Sequence, residues 1–171
     1  MSELRLRKRA RLKHKETREL VERIVAAVGA APFGEEDPVE SGEAEGLPLF
    51  VVKDEALALL HGEKPFPTVR GLLKMKGDLR RWVTVDMGAV KFVTNGADVM
   101  CPGIVECDPS IQPGDLVWVR DERNKRPLAV GEALMPGPEI VAQARAKAKG
   151  KAVKSLHHVG DKFWSLFAEA A

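Results

Sequence analysis

The stretch that decides the reading is Val85-Asp86-Met87-Gly88-Ala89-Val90-Lys91-Phe92-Val93-Thr94-Asn95-Gly96-Ala97-Asp98-Val99-Met100-Cys101-Pro102-Gly103-Ile104. Asp86 suits a helix N-cap, because its carboxylate accepts from the orphan N–H groups of the first turn. Gly88 to Val93 is long enough for one or two helical turns, with Val90, Phe92 and Val93 as its apolar contacts. Asn95 and Gly96 end the helix, since both tolerate the left-handed backbone of a C-terminal cap. Ala97 to Met100 reads as a strand, and Pro102-Gly103 closes it. Gly88, Ala89, Gly96 and Ala97 leave little side chain at the helix ends, so a polyanion backbone could approach bare peptide groups there. For any single glycine, a tight turn or close packing is the simpler account.

Outward from this stretch the chain divides in two. The N-terminal part opens with alternating Leu4-Arg5-Leu6-Arg7, read as a half-exposed strand. A helix follows over 13–28, with Leu20, Ile24 and Val28 four apart and Val21 and Val25 beside them. Residues 30–46 combine Pro, Gly, Ser and acids and read as a mobile loop. Leu47–Lys53 and Ala56–His61 are expected to form a hairpin about Asp54-Glu55. Thr68 caps a short helix over 69–76, and Gly77 marks the boundary of a first domain, 1–77.

The second domain, 78–167, begins with strand Trp82–Val85. Residues 106–112 read as a loop, Leu116–Arg120 as a strand, and 127–135 as a strand with Gly131 at a bulge. A helix starts at Pro138 and a strand covers Lys151–His158. Phe163-Trp164-Ser165-Leu166 is expected to close the sheet. Short strands with turns about every ten residues point to a small barrel.

Length, composition and charge set limits. A chain of 171 residues accommodates one ample domain or two small ones. Net charge is only +2, which excludes a uniformly basic nucleic-acid coat, but the charge is segregated. Residues 1–18 hold eight Lys/Arg against two Glu, 35–45 hold six acids and no Lys or Arg, and 143–162 hold six Lys/Arg against one Asp. The basic N-terminal arm suits phosphate binding or a solvated edge equally well. Cys101 and Cys107 are too few for a zinc site and are read as reduced. No apolar run reaches the ~20 residues of a membrane span, and a signal-peptide core is absent, so the expectation is a cytoplasmic protein with no membrane partner. No nucleophile elbow, phosphate loop, metal pair or dinucleotide fingerprint is present, so neither catalysis nor a cofactor or metal is expected.

The run Gly-Ala-x-x-x-Val-x-x-Gly-Ala-x-Val-x-x-Pro-Gly-Ile over 88–104 resembles the first helix and second strand of a PUA domain, an RNA-binding fold. Phe66-Pro67-Thr68-Val69-Arg70 before it, and His157-His158-Val159-Gly160-Asp161-x-Phe163-Trp164 after it, extend the likeness. Together they resemble the family of the malignant T-cell-amplified sequence protein in its archaeal form, a two-domain unit also found in ligatin-type translation initiation factors. The resemblance implies an α+β protein: an N-terminal α/β domain with a small antiparallel sheet, followed by a PUA-type pseudo-β-barrel. It implies non-catalytic RNA binding in translation, at the small ribosomal subunit and at tRNA (3′ end and acceptor region). Eukaryotic members work with a partner carrying an initiation-factor-like domain. Thr94-Asn95 and the acidic 35–45 segment depart from the eukaryotic pattern, so an initiation-factor-like protein partner is implied by the resemblance without its interface residues. The alternative is an accessory RNA-binding subunit of an RNA-modification complex, and a third reading makes the glycine-rich face a protein-binding module.

By the same resemblance the RNA-facing residues are Gly88, Ala89, Lys91, Thr94, Asn95, Gly96, Ala97, Met100 and Pro102, with Lys151, Lys154, His157 and His158 from the last strand. The chemistry of each type agrees. The three lysines neutralise phosphates, Thr94 and Asn95 donate to phosphate or sugar oxygens, and Met100 and Pro102 offer an apolar platform for an unstacked base. Met100 equally suits a core position, Lys91 a solvated helix face, and His157 a packed or capping role. With no Tyr and few aromatics, phosphate and shape readout are expected to outweigh base stacking.

Overall fold

Strong charge segregation in the first half resolves into a pair of neighbouring strands. The computed structural model describes residues 4–166. In it the basic segment forms strand β1 (Arg7–Arg11) and the acidic segment forms strand β2 (Val39–Ala44), paired antiparallel. Lys8 meets Glu43 at 3.3 Å, and Arg9 meets Glu40 at 2.9 Å and Asp54 at 3.3 Å. The expected mobile loop over 30–46 is therefore corrected over its second half. Opposite charges face each other across the ladder, which favours the pairing, and Val39 and Ala44 supply its buried ends. The same ion pairs occupy Lys8 and Arg9 of the arm considered for phosphate binding. The N-terminal strand also starts later than the Leu4–Arg7 alternation suggests, at Arg7, and carries an irregularity at Lys8, whose φ is +57°.

From β2 the chain runs through β3 (Leu47–Val52), β4 (Glu55–His61) and β5 (Lys64–Pro67) as an antiparallel meander in the order β1-β2-β3-β4-β5. Its three hairpin turns, Glu45-Gly46, Lys53-Asp54 and Gly62-Glu63, each hold both central residues at positive φ. That is the turn geometry whose twist matches two right-twisted strands. Helix α1 (His14–Val28) buries Thr17, Leu20, Ile24 and Val28, while Val25 of the expected stripe stays exposed. The Glu16 carboxylate accepts from the Lys13 N–H at 2.8 Å and closes the helix start. Helix α2 (Val69–Leu73) is capped by Thr68, whose hydroxyl oxygen accepts from the Gly71 N–H. It stops three residues short of the sequence expectation.

Of the described residues, 4–79 and 162–166 form one compact unit, and Arg80–Asp161 form the other. Phe163 to Leu166 lie in turns and do not close a sheet as expected. The Arg70 Nε–H donates to the Trp164 carbonyl at 2.8 Å, with the guanidinium 4.1 Å from the ring centre.

The second unit contains β6 (Trp82–Val85), α3 (Met87–Val93), β7 (Val99–Met100), a 3-10 turn (Cys101–Gly103), β8 (Ile104–Cys107), β9 (Leu116–Asp121), β10 (Pro127–Ala133), α4 (Gly137–Arg145) and β11 (Lys151–His158). Strand β8 takes in Glu106 and Cys107, which the sequence reading left in a loop. The six strands follow the order β7-β11-β10-β9-β6-β8 in a nearly closed, barrel-like sheet, with β6 parallel to β9 and the remaining pairs antiparallel. Val83, Val85, Val99, Val117, Val119, Val153 and Ile140 of α4 fill its core. The architecture is thus α+β, an antiparallel sheet followed by a barrel-like one, as the sequence suggested.

The β10–β11 ladder shifts register between Val130 and Gly131. A Cβ at Gly131 would stand 2.4 Å from the Lys154 carbonyl oxygen and 2.6 Å from Val153 Cγ1. The bulge therefore needs a residue without a side chain. Gly131→Ala is expected to lower stability by about 1–3 kcal/mol in urea unfolding. Gly34→Ala, whose new Cβ would approach nothing closer than 3.7 Å, is expected to change little.

Candidate nucleic-acid interface

Asp86 starts α3 as expected: its Oδ1 accepts from the Ala89 N–H at 2.9 Å, and its own N–H donates to the Gly103 carbonyl at 2.9 Å. The small residues of the motif then divide by role. Ala89 and Gly103 meet closely, because a Cβ on Gly103 would stand 3.1 Å from that of Ala89. They let α3 pack on the 3-10 turn. Gly88 lies open to solvent, with only the Asp86 carboxylate near the place of a Cβ.

Past Val93 the chain folds back on itself. The Phe92 carbonyl accepts from both the Asn95 N–H (3.2 Å) and the Ala97 N–H (3.0 Å). Gly96 takes φ +94°, and a Cβ there would stand 3.1 Å from His158 Nε2. The loop tip thus rests on the end of β11. Asn95, Gly96 and Ala97 are exposed. Thr94 is not free to donate to a ligand as expected, because its hydroxyl donates to the Val90 carbonyl at 2.9 Å.

Strand β7 lies beside β11, with Met100 opposite Lys151 and Val99 opposite Val153. Met100 is 43% exposed, so it belongs to the surface, and Pro102 is half-buried. Asp98 clamps the two strands: Oδ1 accepts from the Ser155 N–H at 2.8 Å and Oδ2 meets the Lys151 amine at 2.9 Å. The Lys151 hydrogen bond, then that of Ser155, hold the Asp98 carboxyl below its ordinary range. Lys151 is therefore partly neutralised. Lys154 and Lys91 are exposed, and among the described residues neither has an acidic partner at ion-pair distance.

The two histidines separate as neighbours in a strand must. His157 is 1% exposed, and its Nδ1 lies 2.9 Å from the Asp161 carboxylate, which also accepts from the His158 N–H. It is a packed residue and leaves the candidate face. His158 is half-buried, with Nδ1 2.9 Å from the Val159 carbonyl. Since a carbonyl only accepts, Nδ1 carries the proton, and Nε2 of the neutral ring is an acceptor turned toward Gly96.

The structure thus gathers Gly88, Lys91, Asn95, Gly96, Ala97, Met100, Pro102, Lys151, Lys154 and His158 on exposed or half-exposed positions of α3, its following loop, β7, the 3-10 turn and β11. It withdraws His157, and it gives Ala89 and Thr94 internal tasks. One exposed group was missed. Phe92, expected to make apolar contacts, is 58% exposed, with the Lys91 amine 5.1 Å from its ring centre. Trp118 is buried, and Trp82 and Trp164 are half-buried, each with an arginine against its ring. Arg120 lies 4.2 Å from the Trp82 centre and 5.6 Å from that of Trp118, and Trp118 Nε1–H donates to the Arg80 carbonyl.

Chemistry elsewhere is limited. Cys101 and Cys107 are buried free thiols, and burial pushes Cys107 up to about 11, so it stays protonated at neutral pH. His14, Glu35 and Glu36 could offer ligand atoms within 4.8 Å of one another, but all three are exposed, and His14 Nε2 already meets Glu36 at 2.9 Å. Among the described residues no helix is long and apolar enough to cross a membrane.

Comparison with known proteins follows the same lines. A PUA-domain model matches residues 81–159. An uncharacterized protein of Methanocaldococcus jannaschii is 44% identical over 128 residues, covering 75% of this chain and 76% of its own. Translation machinery-associated protein 20 of Saccharomyces cerevisiae is 32% identical over 145 residues (78% and 70%). Malignant T-cell-amplified sequence 1 of Rattus norvegicus is 31% identical over 135 residues (76% and 72%). The crystal structure of a hypothetical protein from Pyrococcus horikoshii superposes with a TM-score of 0.80 at 34% identity, covering 92% of this chain and 98% of that one.

The carboxylates of the second unit generate an acid-stability expectation. Besides Asp98, Asp108 and Asp121 are held low: burial opposes their charge, but N–H groups of Arg81 and Ser110, and of Asn124 and Arg126, outweigh it. A carboxylate with a depressed folded value contributes stability above its unfolded value, near the ordinary 3.8, and loses it as pH falls through the folded value. Stability followed by urea unfolding should be flat from neutral pH to about pH 5 and fall below about pH 4. Asp98→Asn should make that acid loss shallower.

Proposed function

The chain belongs to the family of the malignant T-cell-amplified sequence proteins and translation machinery-associated protein 20, with a PUA domain in its second half, and from that membership we propose that it is a non-catalytic RNA-binding protein of translation. The RNA is tRNA, held at its acceptor and 3′ end, or ribosomal RNA of the small subunit. The face formed by α3, its loop, β7 and β11 receives it. The observation that carries this reading is the pair of lysines, Lys91 and Lys154, without an acidic partner at ion-pair distance among the described residues, on a surface whose loop tip, Asn95 to Ala97, bears only one side chain larger than a methyl group.

Each group has a task in that reading. Lys91 and Lys154 meet phosphates, and the side chain of Asn95 bonds phosphate or sugar oxygens. Gly88, Gly96 and Ala97 let the strand lie close to the main chain. Met100, exposed and opposite Lys151 in the ladder, supports an unstacked base. His158 Nε2 accepts from a ribose 2′-hydroxyl, the group that distinguishes RNA from DNA.

The test is a titration of labelled tRNA, with and without its single-stranded 3′ end, at two salt concentrations. Binding that weakens with salt, and weakens again on removal of the end, is expected. The double variant Lys91→Glu, Lys154→Glu should lose roughly tenfold per contact. Asp98→Asn, which removes a negative charge from the face and keeps an acceptor for the Ser155 N–H, should tighten binding at low salt. Absence of binding at low salt refutes the reading. Recovery from native extract with an RNA-modifying enzyme, and without ribosomal subunits, would move the protein to an accessory role in modification.

A further inference from the structure

Phe92 stands outside every task assigned so far. Among the described residues it is the one aromatic side chain that lies mainly in solvent, at 58% exposure. Its neighbours Val90 and Val93 pack on or into the core, so the core does not lack apolar area that Phe92 should have supplied. A ring left in water loses the burial free energy it would gain inside.

The local geometry prepares the ring for a flat partner. Its main chain is fixed by the two bonds that the Phe92 carbonyl accepts from Asn95 and Ala97. A long side chain on a helix leans over the preceding turn. Four residues back that turn carries Gly88, which has nothing to lay across the ring. On one side the Lys91 amine stands 5.1 Å from the ring centre. That lysine has no acidic partner among the described residues, so it is available to an anion that arrives with the flat group. The apolar area is one ring with a cation at its side, next to Asn95 and Gly96. A protein helix would need a broader apolar stripe.

Resting on the RNA-binding reading above, we propose that Phe92 is the stacking seat for one unpaired nucleobase of the bound RNA, with Lys91 on the phosphate of that nucleotide. The base lies on the ring face turned away from the amine. Every base offers a π face, so this contact adds affinity with little sequence preference. It places one stacking contact in an interface otherwise built on phosphates.

The experiment measures the dissociation constant of labelled tRNA with an intact 3′ single strand for the wild type, Phe92→Leu, Phe92→Ala and Lys91→Ala, across a salt series. Phe92→Leu keeps an apolar side chain and removes the π face. It should weaken binding about tenfold, with the slope of log Kd against log salt unchanged, because no charge is lost. Lys91→Ala should reduce that slope by about one contact's worth. Because Phe92 is exposed, both of its variants should keep the wild-type melting temperature, and that is measured alongside. Phe92→Leu and Phe92→Ala binding within twofold of wild type overturns the proposal and leaves the ring to a protein partner, while the RNA-binding reading stands. A wild type that binds no RNA at low salt removes both.

Discussion

The candidate face depends on how β11 is held. One edge of β11 is zipped to β10 across the Gly131 bulge, and its other edge carries the two-residue strand β7. So short a strand has little cohesion of its own. Asp98 supplies what the ladder lacks, by joining the chain just before β7 to the Ser155 N–H and to Lys151. The bulge matters because an added side chain at 131 would strike the Lys154 carbonyl, in the middle of β11. Lys151, Lys154 and His158 project from that strand, Met100 from its neighbour, and Gly96 rests against its end. A displacement of β11 would move them together.

The motif around α3 shows one residue type serving two opposed ends. Ala89 and Gly103 are small so that protein can pack on protein. Gly88, Gly96 and Ala97 are small and face outward, where small size leaves main-chain groups uncovered. Sequence reasoning assigned Gly88, Ala89, Gly96 and Ala97 to one purpose, because a string of glycines and alanines carries no mark of which way each faces. The division follows from α3 having only seven residues and one fully buried side chain, Val93. A helix that short presents most of its surface outward. The same fact explains Phe92, since two turns give no reliable periodicity from which to tell a buried phenylalanine from an exposed one.

Much of the fold was legible because its signals are local. Asp86 as a cap, Thr68 as a cap, the strands at 82–85 and 151–158, and the bulge at Gly131 each follow from a residue and its near neighbours. Strand β2 was not legible, since its stability comes from β1, about thirty residues away, and from Glu40 and Glu43 facing Arg9 and Lys8. Acids, a serine and a glycine suggest a loop by composition, while the favourable pairing is non-local. His157 is intermediate. Two adjacent histidines in a strand must face opposite ways, which the sequence shows, but the register shifts between Lys151 and Val153 and between Ser155 and His157 hide which of the two is buried.

The two ends of the chain's charge pattern therefore have different fates. In the first unit, two cations of the basic segment, Lys8 and Arg9, meet acids of the segregated acidic segment across a sheet. In the second, Lys91 and Lys154 have no acidic partner at ion-pair distance among the described residues, although a carboxylate, Asp98, stands close enough to Lys154 for each charge to feel the other. A negative group amid an anion-binding face weakens the field that face presents. Its retention is intelligible because the carboxylate fixes β7 on β11, and without that order Met100 and the Gly96 loop would lose their register with the lysines. The net charge of +2 thus says little about binding. What counts is where the cations stand, and Lys91 and Lys154 stand beside exposed backbone and one open aromatic ring.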